Sequence, residues 1–179
     1  MGFRQLDERV IHEGRVVSMR IGSFEAPDGQ VVEREIVRHP GAVSAVAVDD
    51  EGRVVLVRQY RAALDVELLE LPAGKLDEPG EDPLACVQRE LVEEVGLEAG
   101  TWEPLVSIHH SPGFCDEVGH VFLARDLHAV DHDRQGVEEE WMTVSWHPIA
   151  DAPRMIAAGE VTDAKTVVGL LLAHARLRG

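Results

Sequence analysis

The sequence predicts an α+β fold: a mixed β-sheet packed between helices, with an antiparallel strand region at its N-terminus. Three observations predict it. Short apolar segments rich in β-branched residues predominate early. Turn clusters of Pro, Gly and Asp separate them. Helical patterns come later, without regular strand–helix alternation. A chain of 179 residues, 45% of them hydrophobic, can bury a substantial core. Residues 1–40 form the N-terminal strand region and residues 41–179 the main domain.

The elements follow in order. "RVVSMRIGSFEA" and "QVVEREIVRH" flank "PDGQ". Pro27 presets φ there and Gly29 permits a positive φ, so a hairpin is expected. "AVSAVAVDD" and "RVVLVRQYR" flank "DDEG", which predicts a second hairpin. "VELLELPAG" is a short strand ending in a Pro and Gly loop. "WEPLVSIHH" and "HVFLARDL" are strands around "SPGFCDEVG", and "WMTVSWHP" is a later one.

Three helices are expected. The first runs from Pro83 to Val95, with Asp82 as N-cap, Pro83 in first position and Gly96 just past its end. Leu84, Val87, Leu91 and Val95 make its apolar stripe. The second spans Ile149 to Ala158, and the third begins after Asp163 with "VVGLLLAHARL".

Bulk charge excludes several partners. A net charge of −16 argues against nucleic acid and against an anionic membrane surface. Cys86 and Cys115 give neither a disulfide framework nor a zinc spacing. No apolar signal core opens the chain, and its longest apolar run is too short to span a bilayer. The expectation is a soluble cytoplasmic protein.

The first helix poses a chemical question. Glu90, Glu93 and Glu94 fall within an arc of roughly 100°, and like charges at that spacing repel. A cation in front of them reverses the sign. Mg²⁺ and Mn²⁺ take oxygen ligands, often carboxylates together with substrate phosphates. Glu90 and Glu94, one turn apart, can converge on one ion, and Glu93 can hold a second or share the first. Arg89, adjacent in sequence, is expected to point elsewhere.

From Gly74 the chain reads Gly74, six residues, Glu81, seven residues, then "RELVEEVGL" from Arg89. This resembles the Nudix box, G-x5-E-x7-R-E-U-x-E-E-x-G-U with U aliphatic, the signature of hydrolases acting on nucleoside diphosphates linked to another moiety. The loop from Gly74 to Glu81 is one residue longer than usual; the helical half is intact. The resemblance implies a Nudix fold and adds the Ala73 backbone carbonyl as a further metal ligand. It gives Arg89 an orienting role, as an ion pair fixing a glutamate rotamer, and places Glu81 with it.

"VVLVRQYR" followed by "ELLELPAGK" is similar to the ADP-ribose pyrophosphatase branch. There such a strand supplies arginine and aromatic contacts to the nucleotide. Arg58 and Arg61 can pair with phosphate or carboxylate, and Tyr60 or an arginine plane can stack on a purine. Alternation puts Arg58 with Tyr60 on one face and Gln59 with Arg61 on the other. Glu70 and Gly74 complete the substrate contacts that the resemblance implies. In "SPGFCDE", Pro112 fits a proline of the same branch, and Phe114 can line the ribose pocket or plug the loop.

The activity this resemblance implies is metal-dependent hydrolysis of ADP-ribose to AMP and ribose 5-phosphate, with Mg²⁺ or Mn²⁺ and two or more ions per site. In this branch the general base is a glutamate on a loop after the box. "GVEEEW" offers Glu139, with Glu138 and Glu140 beside it. A homodimer with exchanged N-terminal strands is also implied. Alternatives are a pyrophosphatase for GDP-mannose, NADH or FAD, or a non-catalytic ADP-ribose-sensing module.

Overall fold

The computed structural model describes residues 2–78, 80–131 and 141–178. Its contacts divide into two compact units, one of residues 1–41 with 109–118, the other of residues 42–108 with 119–179.

The first unit is built on a three-stranded antiparallel sheet, β1 (Arg4–Glu13), β2 (Ser18–Glu25) and β3 (Val31–Arg38), in that order. The β2–β3 hairpin closes as "PDGQ" requires: Gly29 takes φ 85° and its N–H donates to the Ala26 carbonyl at 2.9 Å. The 109–118 segment joins through backbone bonds, with Val37 N–H donating to Phe114 O at 2.7 Å. Arg38 binds Glu8 through two nitrogens and Asp116 at 2.9 Å. Much apolar surface of this unit stays exposed, including Leu6, Val10, Ile11 and Met19.

The Arg38 hydrogen bond holds the Glu8 carboxyl down to about 2 from an ordinary 4.5; burial opposes it, and Gln5 and Arg20 assist. A depressed folded-state value means stability that is present above pH 4.5 and lost as pH falls toward 2. Glu8→Gln is therefore expected to melt below wild type at pH 7, with the gap closing between about pH 4.5 and 2. A gap constant across that window would show that the Glu8 charge contributes nothing.

The second unit contains a four-stranded mixed sheet, order β7 (Ala73–Lys75), β4 (Ala42–Ala47), β9 (Val118–Ala129) and β8 (Leu97–His109). A three-stranded sheet holds β10 (Thr143–Pro148), β5 (Arg53–Arg61) and β6 (Val66–Glu70). The sheets divide two cores by the two-residue alternation of their strands. Val43, Ala45, Ala47, Val55, Phe122 and Ala124 pack on Cys86, Val87 and Leu91 of α1 (Pro83–Val95). Val46, Val48, Leu56, Val121 and Leu123 pack on the other side, with Met155 of α2 (Ala152–Ala157) and Leu170 and Ala173 of α3 (Ala164–Leu177). Gly169 lets α3 approach closely; a Cβ there would lie 2.7 Å from Leu71 Cδ1.

α1 forms over its expected span. The Asp82 side chain accepts from Leu84 N–H at 2.9 Å, and Gly96 ends the helix at φ 64°. Three expectations need correction. The "DDEG" turn does form, with Gly52 N–H on Asp49 O, but β4 and β5 share only the Val48–Val54 bridge and run into different sheets. The partners of β4 are β7 and, parallel to it, β9, which leaves β5 to β6 and β10. In α1, Leu84 is exposed rather than part of the buried stripe, and Glu94 is buried beside Leu91. The predicted second helix opens as a 3₁₀ turn, Ile149–Asp151, before α2. Among the described residues no helix is long and apolar enough to cross a membrane.

Candidate active site

The site grows from three neighbouring pieces of the second unit: the end of β6, the short β7 and the polar side of α1. Pairing of β7 with β4 sets Ala73 opposite Ser44 and Gly74 opposite Val43. Ala45 N–H donates to Pro72 O at 3.0 Å and fixes the turn into β7. Ala73 N–H then donates to Glu94 Oε2 at 3.0 Å. A carboxylate only 4% exposed needs such a partner.

Gly74 serves Glu90 by clearance. A Cβ at position 74 would lie 1.9 Å from Glu90 Cδ and 2.0 Å from its Oε1. No side chain fits there, so the Glu90 carboxylate lies directly against the β7 backbone.

Arg89 joins the remaining carboxylates. Its Nε and Nη2 form a fork on Glu81, both at 3.1 Å. Its Nη1 donates to Glu90 Oε1 at 3.0 Å and to Glu93 Oε2 at 2.9 Å. The expectation that Arg89 points away from the glutamates is thus corrected. Its Cα direction differs, but the long side chain folds back over the face. Glu81, on the longer loop, still reaches the fork. The hydrogen bonds to Glu81 raise the Arg89 pKa above its ordinary value and lower that of Glu81. Burial, seconded by Glu81, pushes the Cys86 thiol up to about 12, so it stays a neutral packing group.

Glu90, Glu93 and Glu94, with the backbone at Ala73, make a donor set of oxygens alone, which is the chemistry of hard divalent cations. Among the described residues no three His, Cys, Asp or Glu side chains are arranged closely enough to mark a metal site. The oxygen chemistry of these groups, though not their present spacing, suits such an ion. The clearance at Gly74 lets one carboxylate reach the backbone edge, and Glu94 is anchored beside it.

A second cluster borders the first. Arg61, at the end of β5, grips Glu70 with Nε at 2.7 Å and Nη2 at 2.6 Å. Glu70 is 1% exposed and also accepts from Lys165. Lys165 donates to Asp163 Oδ2 at 3.0 Å. Asp163 caps α3 by accepting from Thr166 N at 3.0 Å, and the Thr166 hydroxyl accepts from Leu71 N–H at 2.9 Å. Burial pushes the Glu70 carboxyl up, but Arg61 and Lys165 outweigh it and hold it below its ordinary value. The Arg61 pKa is raised, first by Glu70 and in smaller part by Asp163 and Glu94.

Arg58 and Tyr60 lie exposed on β5, and the Tyr60 hydroxyl donates to Asp65 at 2.9 Å. In the first unit, Pro112 and Phe114 line a cavity of about 600 Å³ with Phe3, Phe24 and Ile36. Glu138, Glu139 and Glu140 lie outside the described residues. Sequence reasoning did not single out Asp163, Lys165 and Thr166 as site residues. Their signal was present as a helix cap three residues before a threonine, but its partners, Glu70 and Leu71, are 95 residues away.

Comparison with known proteins gives a consistent result. The NUDIX domain model matches residues 38–167. An ADP-ribose pyrophosphatase of Mycobacterium tuberculosis is 42% identical over 177 residues, covering 99% of this chain and 86% of that protein. One of Bacillus subtilis is 41% identical, covering 89% of this chain and 86% of that protein. A crystal structure described as an ADP compounds hydrolase superposes with a TM-score of 0.84, covering 100% of this chain and 96% of that one at 24% identity, and so speaks for the fold.

Proposed function

The chain belongs to the NUDIX family, and from that premise we propose that it hydrolyses the pyrophosphate bond of ADP-ribose, giving AMP and ribose 5-phosphate. The observation that carries this reading is the arrangement of α1 against β7. Glu94 is held by the Ala73 backbone, Glu90 lies against Gly74, and Arg89 links Glu90 to Glu93.

In the reading proposed, Glu90, Glu93, Glu94 and the Ala73 carbonyl hold Mg²⁺ or Mn²⁺, two or more ions per site. A bound ion would neutralise pyrophosphate oxygens and lower the pKa of attacking water. The remaining work falls to the chain. Arg89 keeps Glu90 and Glu93 turned to the same side while its fork rests on Glu81. Ala73 N–H holds the Glu94 rotamer. Arg61 donates Nε and Nη2 to Glu70, which among the described residues leaves its Nη1 edge for a phosphate oxygen. Arg58 and Tyr60 are assigned to the nucleoside end. One P–O bond forms to water and the bridging P–O bond breaks. The water proton passes to a glutamate base, for which Glu139 is first choice and Glu138 and Glu140 are the neighbours.

Glu139→Gln is expected to lower turnover by about 10²–10⁴-fold at saturating Mg²⁺. A loss below tenfold would transfer the role to a neighbour. The function itself is tested by incubating the protein with Mg²⁺ and ADP-ribose, GDP-mannose, NADH and FAD in parallel, with products identified. AMP and ribose 5-phosphate formed fastest from ADP-ribose support the reading. Preference for another substrate, or binding of ADP-ribose without turnover, overturns it.

The exposed apolar strands of the first unit support a second copy of this chain as partner. Light scattering is expected to give twice the chain mass; a monomer at micromolar concentration refutes the dimer. The free cysteines suit the reducing cytoplasm. Recovery of the protein outside the cytosolic fraction would contradict that placement.

A further inference from the structure

We propose that Lys165 is a positioning residue for the reaction, acting through Glu70 on Arg61 and so tying the start of α3 to the substrate edge of the site. The role rests on the functional reading above, because it concerns how that substrate is held.

Three observations lead to it. First, Lys165 and Arg61 share one carboxylate. Glu70 is 1% exposed and its Oε2 accepts from both cations, while among the described residues its Oε1 accepts from Arg61 alone. Second, the same turn of α3 reaches the metal-side loop. Thr166 Oγ1 accepts from Leu71 N–H, and Leu71 stands two residues before Ala73, whose N–H holds Glu94. Third, Asp163 holds both Thr166 and Lys165, so one cap fixes the two connections together.

Stability alone is a poor reason for this network. Burying charges costs about as much as their attraction returns, and apolar side chains of similar volume often do better. Position is the better reason. With Lys165 in place, Glu70 shares its charge between two cations, and the guanidinium keeps an outward edge and part of its positive charge. Without Lys165, the full charge of a buried carboxylate rests on Arg61, which is then drawn toward Glu70 and offers less to a phosphate. Loss of one cation beside the site acts in the same direction.

The test compares wild type with Lys165→Met, Lys165→Gln and Lys165→Arg for Mg²⁺-dependent hydrolysis of ADP-ribose. Lys165→Met is expected to raise KM about tenfold, the loss of roughly one charge-assisted hydrogen bond, with kcat within about threefold. Lys165→Gln, which keeps a donor and the volume, is expected to raise KM in the same direction and covers the case in which Met prevents folding. Lys165→Arg is expected to restore most of the affinity. Combined with Arg61→Gln, the Lys165 change is expected to add little, because its route is already cut. A merely structural lysine would lower Tm, leave KM unchanged and give additive effects with Arg61→Gln; that result overturns the proposal. Wild type inactive on ADP-ribose overturns the functional reading, and this role with it. Active wild type with unchanged KM in the Lys165 variants overturns this role alone.

Discussion

Glu94→Gln is expected to reduce ADP-ribose turnover about 10³-fold at saturating Mg²⁺, a barrier increase of about 4 kcal/mol, with the fold retained. The substitution keeps the shape and removes the charge. The amide oxygen can still accept from Ala73 N–H, so the local structure has what it needs. The side chain is 4% exposed, so water cannot replace the lost negative charge. A carboxylate that served only as an acceptor for Ala73 would be replaced almost without loss. The check is kcat at increasing Mg²⁺ together with a thermal melt. A loss below tenfold with unchanged Mg²⁺ dependence would place the ion elsewhere.

Gly74→Ala is the second large effect, and it separates activity from stability. The new Cβ would sit 1.9 Å from Glu90 Cδ and 2.2 Å from Cγ, far inside contact distance. The β7 backbone is held by pairing with Val43, so the glutamate must move. Moving the end of a flexible side chain is cheap, and Tm is expected to shift by only a few degrees. The displaced carboxylate loses its place beside the backbone and its bond to Arg89 Nη1. Misplacement by about 1 Å can cost about 10²-fold in rate, and a loss of that order is expected. Glu90→Asp on the Gly74→Ala background shortens the side chain and is expected to recover part of it. Full activity in Gly74→Ala would show that Glu90 need not approach this edge.

The parts of the molecule that sequence revealed are those that local chemistry decides. α1 was legible because Asp82, Pro83 and Gly96 each act within one turn of the helix. The β2–β3 hairpin was legible because Gly29 has one conformational purpose there. The β4–β5 pairing was misjudged because a tight turn says that the chain reverses, not which sheet the next strand enters. One neighbour of β4 is β9, in parallel and more than seventy residues on, and no local signal marks such a partner. β7 was passed over for a similar reason: three residues in a Pro and Gly loop become a strand only because β4 offers them an edge.

The site divides along the same line. The spacing of Glu90, Glu93 and Glu94 is a property of one helix and could be read directly. The reach of Arg89 back over that face depends on side-chain length, which spacing rules ignore. The Glu70 network depends on contacts between residues 70 and 165, and only the folded chain brings them together.

The most direct measurement is calorimetric titration of Mn²⁺ into the protein saturated with a methylene-bridged analogue of ADP-ribose, compared with the double variant Glu90→Gln, Glu94→Gln. The account expects Mn²⁺ to bind wild type far more tightly than the double variant, and more tightly with the analogue present than without it. Equal affinity in both proteins, or indifference to the analogue, would contradict the claim that these glutamates hold divalent ions against a pyrophosphate.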